Sequence, residues 1–248
     1  MLMRTVVLLC GLLLPLMAQA AMDSVAVSII ADNGRSLREY PVENRRDVYR
    51  AYVEAQPGMR YAIRVRNLTG DRVGVVIAVD GRNIISGQRS ELRPNERMYI
   101  LEPYGQYTYR GWRTGQNRVN RFYFTDAGGS YAAAWGDYSA MGVIALAVYH
   151  ERRRPESRRS LGPEIQSAPE PGTGFGHVER SPSRQVAFHP EPRSSGRWLV
   201  KYEWRDSLCQ RGVMNCHPVH TTKPGNRLWP DDDRGGYAPR PPRQFYRQ

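Results

Sequence analysis

From Asp23 to about Arg152 the chain is a succession of short apolar-alternating segments cut off by turn residues, and this punctuation constrains the fold more than any other feature. Segments at Val25 to Ile30, Leu37 to Val42, Val48 to Ala55, Tyr61 to Asn67 and Val73 to Val79 come first. In the fourth, Tyr61, Ile63 and Val65 alternate with Ala62, Arg64 and Arg66, the period of two of a half-buried strand. Val73 to Val79 is apolar on both faces, which predicts a central strand closed by the Asp80-Gly81 turn signal. Further strands are expected at Asn83 to Ser86, Met98 to Leu101, Gln106 to Arg113, Val119 to Thr125, Ser130 to Trp135 and Met141 to Tyr149. Arg46 to Gln56 also admits a helix with Val48, Tyr52 and Ala55 on one face, but its β-branched and aromatic content and the following Pro57-Gly58 favour a strand. Such regular short spacing predicts an all-β fold: an antiparallel β-sandwich or a partly closed barrel.

The apolar fraction of 40% is low for a globular chain of 248 residues, yet 15 Tyr, 5 Trp and 5 Phe suffice to build one sizeable core. Composition shifts then mark the organisation. Residues 1–20 read as a signal peptide, 21–152 as the β-sandwich core, and 153–184 as a linker rich in Arg, Pro and Ser. Residues 185–216 read as a C-terminal strand pair, Gln185 to Phe188 and Arg197 to Trp204, with a Cys loop packing on or near the core. The last stretch, 217–248, is rich in Pro, Gly and Arg and is expected to be a disordered tail.

The export reading rests on Arg4 in a short leading region, an apolar run from Val6 to Met17 and the small-x-small end Ala18-Gln19-Ala20, with cleavage expected after Ala20. About 12 apolar residues fall short of a hydrocarbon core of roughly 30 Å, so no transmembrane anchor is expected. Leu9 stands before Cys10 where a lipidation box needs a small residue. The whole chain has 36 basic and 24 acidic residues, and only Lys201 and Lys223 are lysines, so its positive charge is almost wholly guanidinium. Guanidinium forks bind phosphate and carboxylate in bidentate fashion, which points to an anionic envelope component or polysaccharide as partner. An Arg-rich codon bias is the plainer source of the same charge. Export argues against a nucleic-acid partner.

Several blocks carry a family likeness: Gly74 to Gly87, Tyr99 to Tyr104, Gly111 to Thr114, Gly142 to Ile144, Gly172 to Gly176 and Tyr202 to Asp206. In their order the chain resembles a family of exported, signal-peptide-bearing bacterial β-rich proteins to which no activity is assigned. The resemblance spans most of residues 48–210. It implies a β-rich exported protein and supplies no catalytic residue.

The motifs that could carry chemistry are few. Cys209 and Cys216 are the only cysteines after the leader and are expected to form a disulfide. With His217 and His220 they also offer zinc-type or copper-type ligands, but adjacent Cys and His rarely share one metal, so no metal and no cofactor are expected. On strand parity Tyr107, Tyr109 and Arg113 share one face, and Arg121 and Tyr123 share a face of the next strand. Were these faces to coincide in the open, they would form a stacking platform with guanidinium forks for sugars or anionic polymers; the plainer alternative puts one face in the core. Gly172-Thr-Gly-Phe-Gly has phosphate-loop composition without the following Lys and Ser/Thr, and reads as a flexible turn. Asn67-Leu68-Thr69 is a formal glycosylation sequon, and Asp231-Asp232-Asp233 lacks calcium-loop spacing. Nucleophile-elbow, zinc-protease and Walker motifs are absent from the sequence.

Three function classes remain. The favoured one is a non-enzymatic periplasmic or cell-envelope β-sandwich that binds or stabilises a partner through a basic surface. A carbohydrate-active or other hydrolytic enzyme would instead pair dispersed carboxylates such as Asp80, Asp126 and Asp137. An envelope assembly subunit would show a sheet edge completed by the 185–204 segment of a neighbouring chain. Ligand identity and oligomeric state stay open at this level.

Overall fold

A computed structural model describes residues 21–22, 24–42, 47–152 and 171–216. The leader 1–20, the linker portion 153–170 and the tail 217–248 lie outside the described residues, as do the expectations made for them. Contacts divide the chain into a unit from Met1 to Val213, which holds both sheets, and a unit from Met214 to Gln248, described only at Met214 to Cys216. Among the described residues no helix is long and apolar enough to cross a membrane.

The fold is mostly β, in two seven-stranded sheets that do not close into a barrel. The first sheet contains β1 (Ala21–Met22), β2 (Val25–Ala31), β5 (Arg60–Asn67), β9 (Gln106–Tyr109), β10 (Gly111–Gly115), β11 (Arg118–Thr125) and β13 (Gly172–Arg180). The second contains β3 (Glu39–Pro41), β4 (Val48–Ala55), β6 (Val73–Val79), β7 (Arg82–Asn83), β8 (Tyr99–Leu101), β12 (Val143–His150) and β14 (Gly196–Trp204). Alternate residues of both sheets, Val27, Ile29, Ile63 and Val65 from one and Val75, Ile77, Leu146 and Val200 from the other, meet in one buried cluster. β6 is buried on both faces because Val76 and Ala78 pack outward under Leu92 and Tyr149. Asp80 and Gly81 both have positive φ, 49° and 75°, and close the β6–β7 hairpin as a two-residue turn.

The second sheet is mixed rather than purely antiparallel. β14 runs parallel to β4, with Arg197 opposite Val48 and Trp204 opposite Ala55, and antiparallel to β12. The long intervening chain gives the crossover that a parallel pair needs. β14 therefore lies inside the sheet and does not pair with Gln185 to Phe188, which forms no strand. It leads directly into α1 (Arg205–Gln210).

Other expectations shift for local reasons. Ser130 to Trp135 is not a strand: the chain makes 3-10 turns at Ala127–Gly129 and Ala133–Trp135, the first capped by the Asp126 carboxylate, which accepts from Gly129 N–H at 2.8 Å. Gln106 to Arg113 breaks at Arg110, where the chain leaves β5 and begins to pair with β11. Asn83 to Ser86 shortens to Arg82–Asn83 because Asn83 Oδ1 accepts from Ile85 N–H at 2.9 Å and turns the chain.

The largest correction concerns the linker. Residues 172–180, expected as a flexible turn and part of the linker, form β13, paired with β11 along its length. Its glycines permit close approach: a Cβ at Gly174 would stand 2.1 Å from the Tyr123 ring, and one at Gly172 would stand 2.3 Å from Ser130 Cβ.

Candidate functional site

The five residues nominated from sequence divide between two surfaces. Alternation along β9 turns Tyr107 and Tyr109 toward the space between the sheets, opposite Val65 and Ile63 of β5. Along β11 Phe122 and Phe124 are fully buried, and Arg121 and Tyr123, which alternate with them, take the outer face. A single platform of all five does not form.

Tyr107, Tyr109 and Arg113 line a cleft of about 1250 Å³ bounded by β8, β9 and the segment 181–190. Tyr109 stacks on Tyr99 with ring centroids 4.1 Å apart. Burial raises the phenol pKa of both, slightly opposed in Tyr99 by the Arg113 guanidinium. Arg113 is already committed. Its Nε donates to Tyr99 Oη at 2.9 Å, and its Nη atoms donate to the Ser181 and Gln116 carbonyls at 3.0 and 3.1 Å and to the Ser183 and Ser181 hydroxyls at 3.1 and 3.2 Å. This guanidinium fastens the 181–190 segment across the cleft instead of presenting a free fork to a ligand.

The outer face of the first sheet is different. Arg60, Arg64 and Arg66 alternate on β5 with buried Tyr61, Ile63 and Val65. Arg121 lies beside them on β11, where it contacts both Asp32 and Glu179, the latter at 2.9 Å. Arg60 is 3.8 Å from Asp32, and Arg110, at the β9–β10 break, is 3.6 Å from Glu179. Three guanidinium groups, Arg60, Arg110 and Arg121, thus share two carboxylates. Arg64 and Arg66 have no carboxylate partner among the described residues, and Nε of Arg64 is buried without a hydrogen bond there. Tyr123 sits opposite Arg60 with its ring over Gly174. Sequence reading found Arg121 and Tyr123 but passed over Arg60, Arg64 and Arg66, although their alternation with apolar residues was the available signal.

The dispersed carboxylates each hold up local structure. Asp80 is fully buried: Oδ1 accepts from Gly142 N–H at 2.9 Å and Tyr202 O–H at 2.5 Å, and Oδ2 accepts from Thr173 N–H at 2.6 Å. Thr173 Oγ1 also lies 2.7 Å from Tyr61 Oη and 2.8 Å from Tyr202 Oη. Burial, reinforced by the Asp80 charge, holds both phenols well above their ordinary range. Asp126 caps its 3-10 turn, and Asp137 accepts from Ser139 N–H and O–H while pairing with Arg82 at 3.4 Å.

One further carboxyl is strongly perturbed. Burial pushes Glu39, in the short edge strand β3, up to about 7 against the lowering effect of the Tyr49 hydroxyl; the Trp198 indole N–H is turned toward it but outside hydrogen-bonding geometry. Cys209 and Cys216 are disulfide-bonded. Among the described residues no group of three or more His, Cys, Asp or Glu is arranged to hold a metal ion.

No protein-family model, curated protein or solved structure matches this chain.

Proposed function

We propose that the protein is an exported, non-enzymatic β-sandwich of the periplasm or cell envelope that binds an anionic polymer through the outer face of its first sheet. The observation that carries this reading is the arginine surplus on that face: Arg60, Arg64, Arg66, Arg110 and Arg121 against Asp32 and Glu179. Side chains two apart on a strand are about 6.6 Å apart, so Arg64 and Arg66 can grip successive charged groups along an extended polymer. Guanidinium binds carboxylate, phosphate and sulfate alike, and an acidic polysaccharide or a phosphorylated lipopolysaccharide supplies such groups in series. The leader layout and the resemblance to exported bacterial proteins support the location. The structural bonds that occupy Asp80, Asp126 and Asp137 weigh against the hydrolase alternative.

Heparin and polygalacturonate, with neutral dextran as control, test the reading on the full chain. Binding to the charged polymers but not to dextran is expected, weakening as NaCl rises from about 0.05 to about 0.3 M. Arg64→Ser with Arg66→Ser should weaken it by about tenfold at unchanged thermal stability. Salt-insensitive binding, or equal binding by the double variant, overturns the proposal.

A further inference from the structure

A second surface, separate from the arginine face and independent of its role, is built around an exposed indole. Trp135 ends the 3-10 turn Ala133–Trp135 and is 62% exposed. A tryptophan left in water gains little from the fold, yet this one is braced from two sides. The Arg82 guanidinium carbon lies 5.6 Å from its ring centroid, and Tyr131 makes an edge contact at 6.2 Å and 68°.

Each brace is itself fixed. Arg82 pairs with Asp137, whose side chain is only 4% exposed, and donates to the Gly87 carbonyl at 3.1 Å. Tyr131 stacks on Phe175 at 5.3 Å and 18°, and packs on Trp112 at 4.4 Å, which meets Phe122 edge-on in the core. Its hydroxyl rests on Gly87, where a Cβ would stand 2.5 Å away. A ladder of rings thus runs from the core to two open ones, Trp135 and Phe175, the latter 43% exposed.

We infer that Trp135 is the stacking residue of a glycan site, and that its ligand is a chain of gluco-configured, β-1,4-linked pyranoses. Such rings carry all their substituents equatorially, so both faces present axial C–H groups that lie flat on an aromatic π-face, while the equatorial hydroxyls reach a polar rim. Tyr138, 42% exposed and three residues further along the chain, offers an open hydroxyl for that rim. Rigid Trp and Tyr rings among small and polar residues offer contact area at little entropic cost. A bilayer would be met by aliphatic bulk beside the aromatics, and residues 127–140 contain no Leu, Ile, Val or Met.

Calorimetric titration of the full chain with cellohexaose and with chitohexaose tests the site. At least one should bind, and Trp135→Ala should weaken it by about tenfold or more while leaving the melting temperature unchanged, since the ring is mostly outside the core. Trp135→Tyr should retain part of the affinity, and it carries the comparison if the alanine variant does not fold. The Arg64→Ser, Arg66→Ser variant should bind the neutral hexaoses normally, which separates this site from the anionic-polymer reading. The inference is overturned if neither hexaose binds at millimolar concentration or if Trp135→Ala binds as well as wild type. It is equally overturned if Trp135 instead governs binding to phosphatidylglycerol vesicles or the oligomeric state by light scattering.

Discussion

The Tyr202 hydroxyl donates to Oδ1 of the fully buried Asp80 at 2.5 Å, and through the other carboxylate oxygen Asp80 reaches across the core to the Thr173 N–H of the opposite sheet. One carboxylate at the end of β6 therefore ties β14 of its own sheet to β13 of the other. Buried networks of this kind stabilise only while every member is satisfied.

Asp80→Ala should be among the most damaging single changes. It leaves Gly142 N–H, Thr173 N–H and Tyr202 O–H without their acceptor and places alanine at φ 49°. A loss of about 3 to 5 kcal/mol is expected by urea unfolding. Asp80→Asn, which keeps one acceptor oxygen and tolerates positive φ, should lose less; equal stability of the alanine variant and wild type would contradict the tie.

Stability should also depend on pH through Glu39. Its carboxyl titrates near its ordinary 4.5 in the unfolded chain and at about 7 in the fold, so the native state holds the proton more tightly. The contribution is fully present below about pH 4.5 and is lost as pH rises through 7, amounting to about 3 kcal/mol. Glu39→Gln should remove this slope and be more stable than wild type at pH 8. Parallel unfolding curves of the two proteins from pH 5 to pH 8 would refute it.

Gly174 and Tyr123 should be coupled. Alanine at 174 forces its Cβ into the Tyr123 ring, and a loss of about 1 to 3 kcal/mol is expected from overpacking. Truncating Tyr123 to Ala in the same chain removes the clash, so the double variant should be more stable than the sum of the two single effects implies. Simple additivity in a double-mutant cycle would place the ring elsewhere.

The Cys209–Cys216 bond closes a short loop that starts in the last turn of α1. On the chain-entropy account Cys209→Ser should cost about 2 to 3 kcal/mol under oxidising conditions and nothing in excess reductant. Equal melting temperatures of the oxidised variant and wild type would show that the bond adds no stability.

Much of the fold was legible because side-chain periodicity survives in the sequence. Val48–Ala55 and Val73–Val79 form strands over their expected spans, the first by its β-branched and aromatic content and the second by its two apolar faces. β13 was not legible: its three glycines and polar residues look like a loop, and the neighbours that explain the glycines, Ser130 at Gly172, the Tyr123 ring at Gly174 and the Arg121 carbonyl at Gly176, are remote in sequence. Asp80 was read correctly as a turn residue, but its bond to Thr173, 93 residues away, leaves no local trace. The site residues failed as a group for a geometric reason, since parity within each strand says nothing about which faces of two strands coincide. Trp135 was placed in an expected strand, whose alternation would have hidden it from view.

The position of β14 bears on how the molecule can be made. β14, the last strand among the described residues, sits between β4 and β12, with Arg197 paired to Val48 on one side and Trp198 paired to Leu146 on the other. Until residues 196–204 have been synthesised, β4 and β12 each expose an unpaired edge, the arrangement most prone to wrong pairing between chains. The second sheet therefore cannot close until Gly196–Trp204 has been made, and a truncation upstream of Gly196 should yield an aggregating chain, not a smaller folded one.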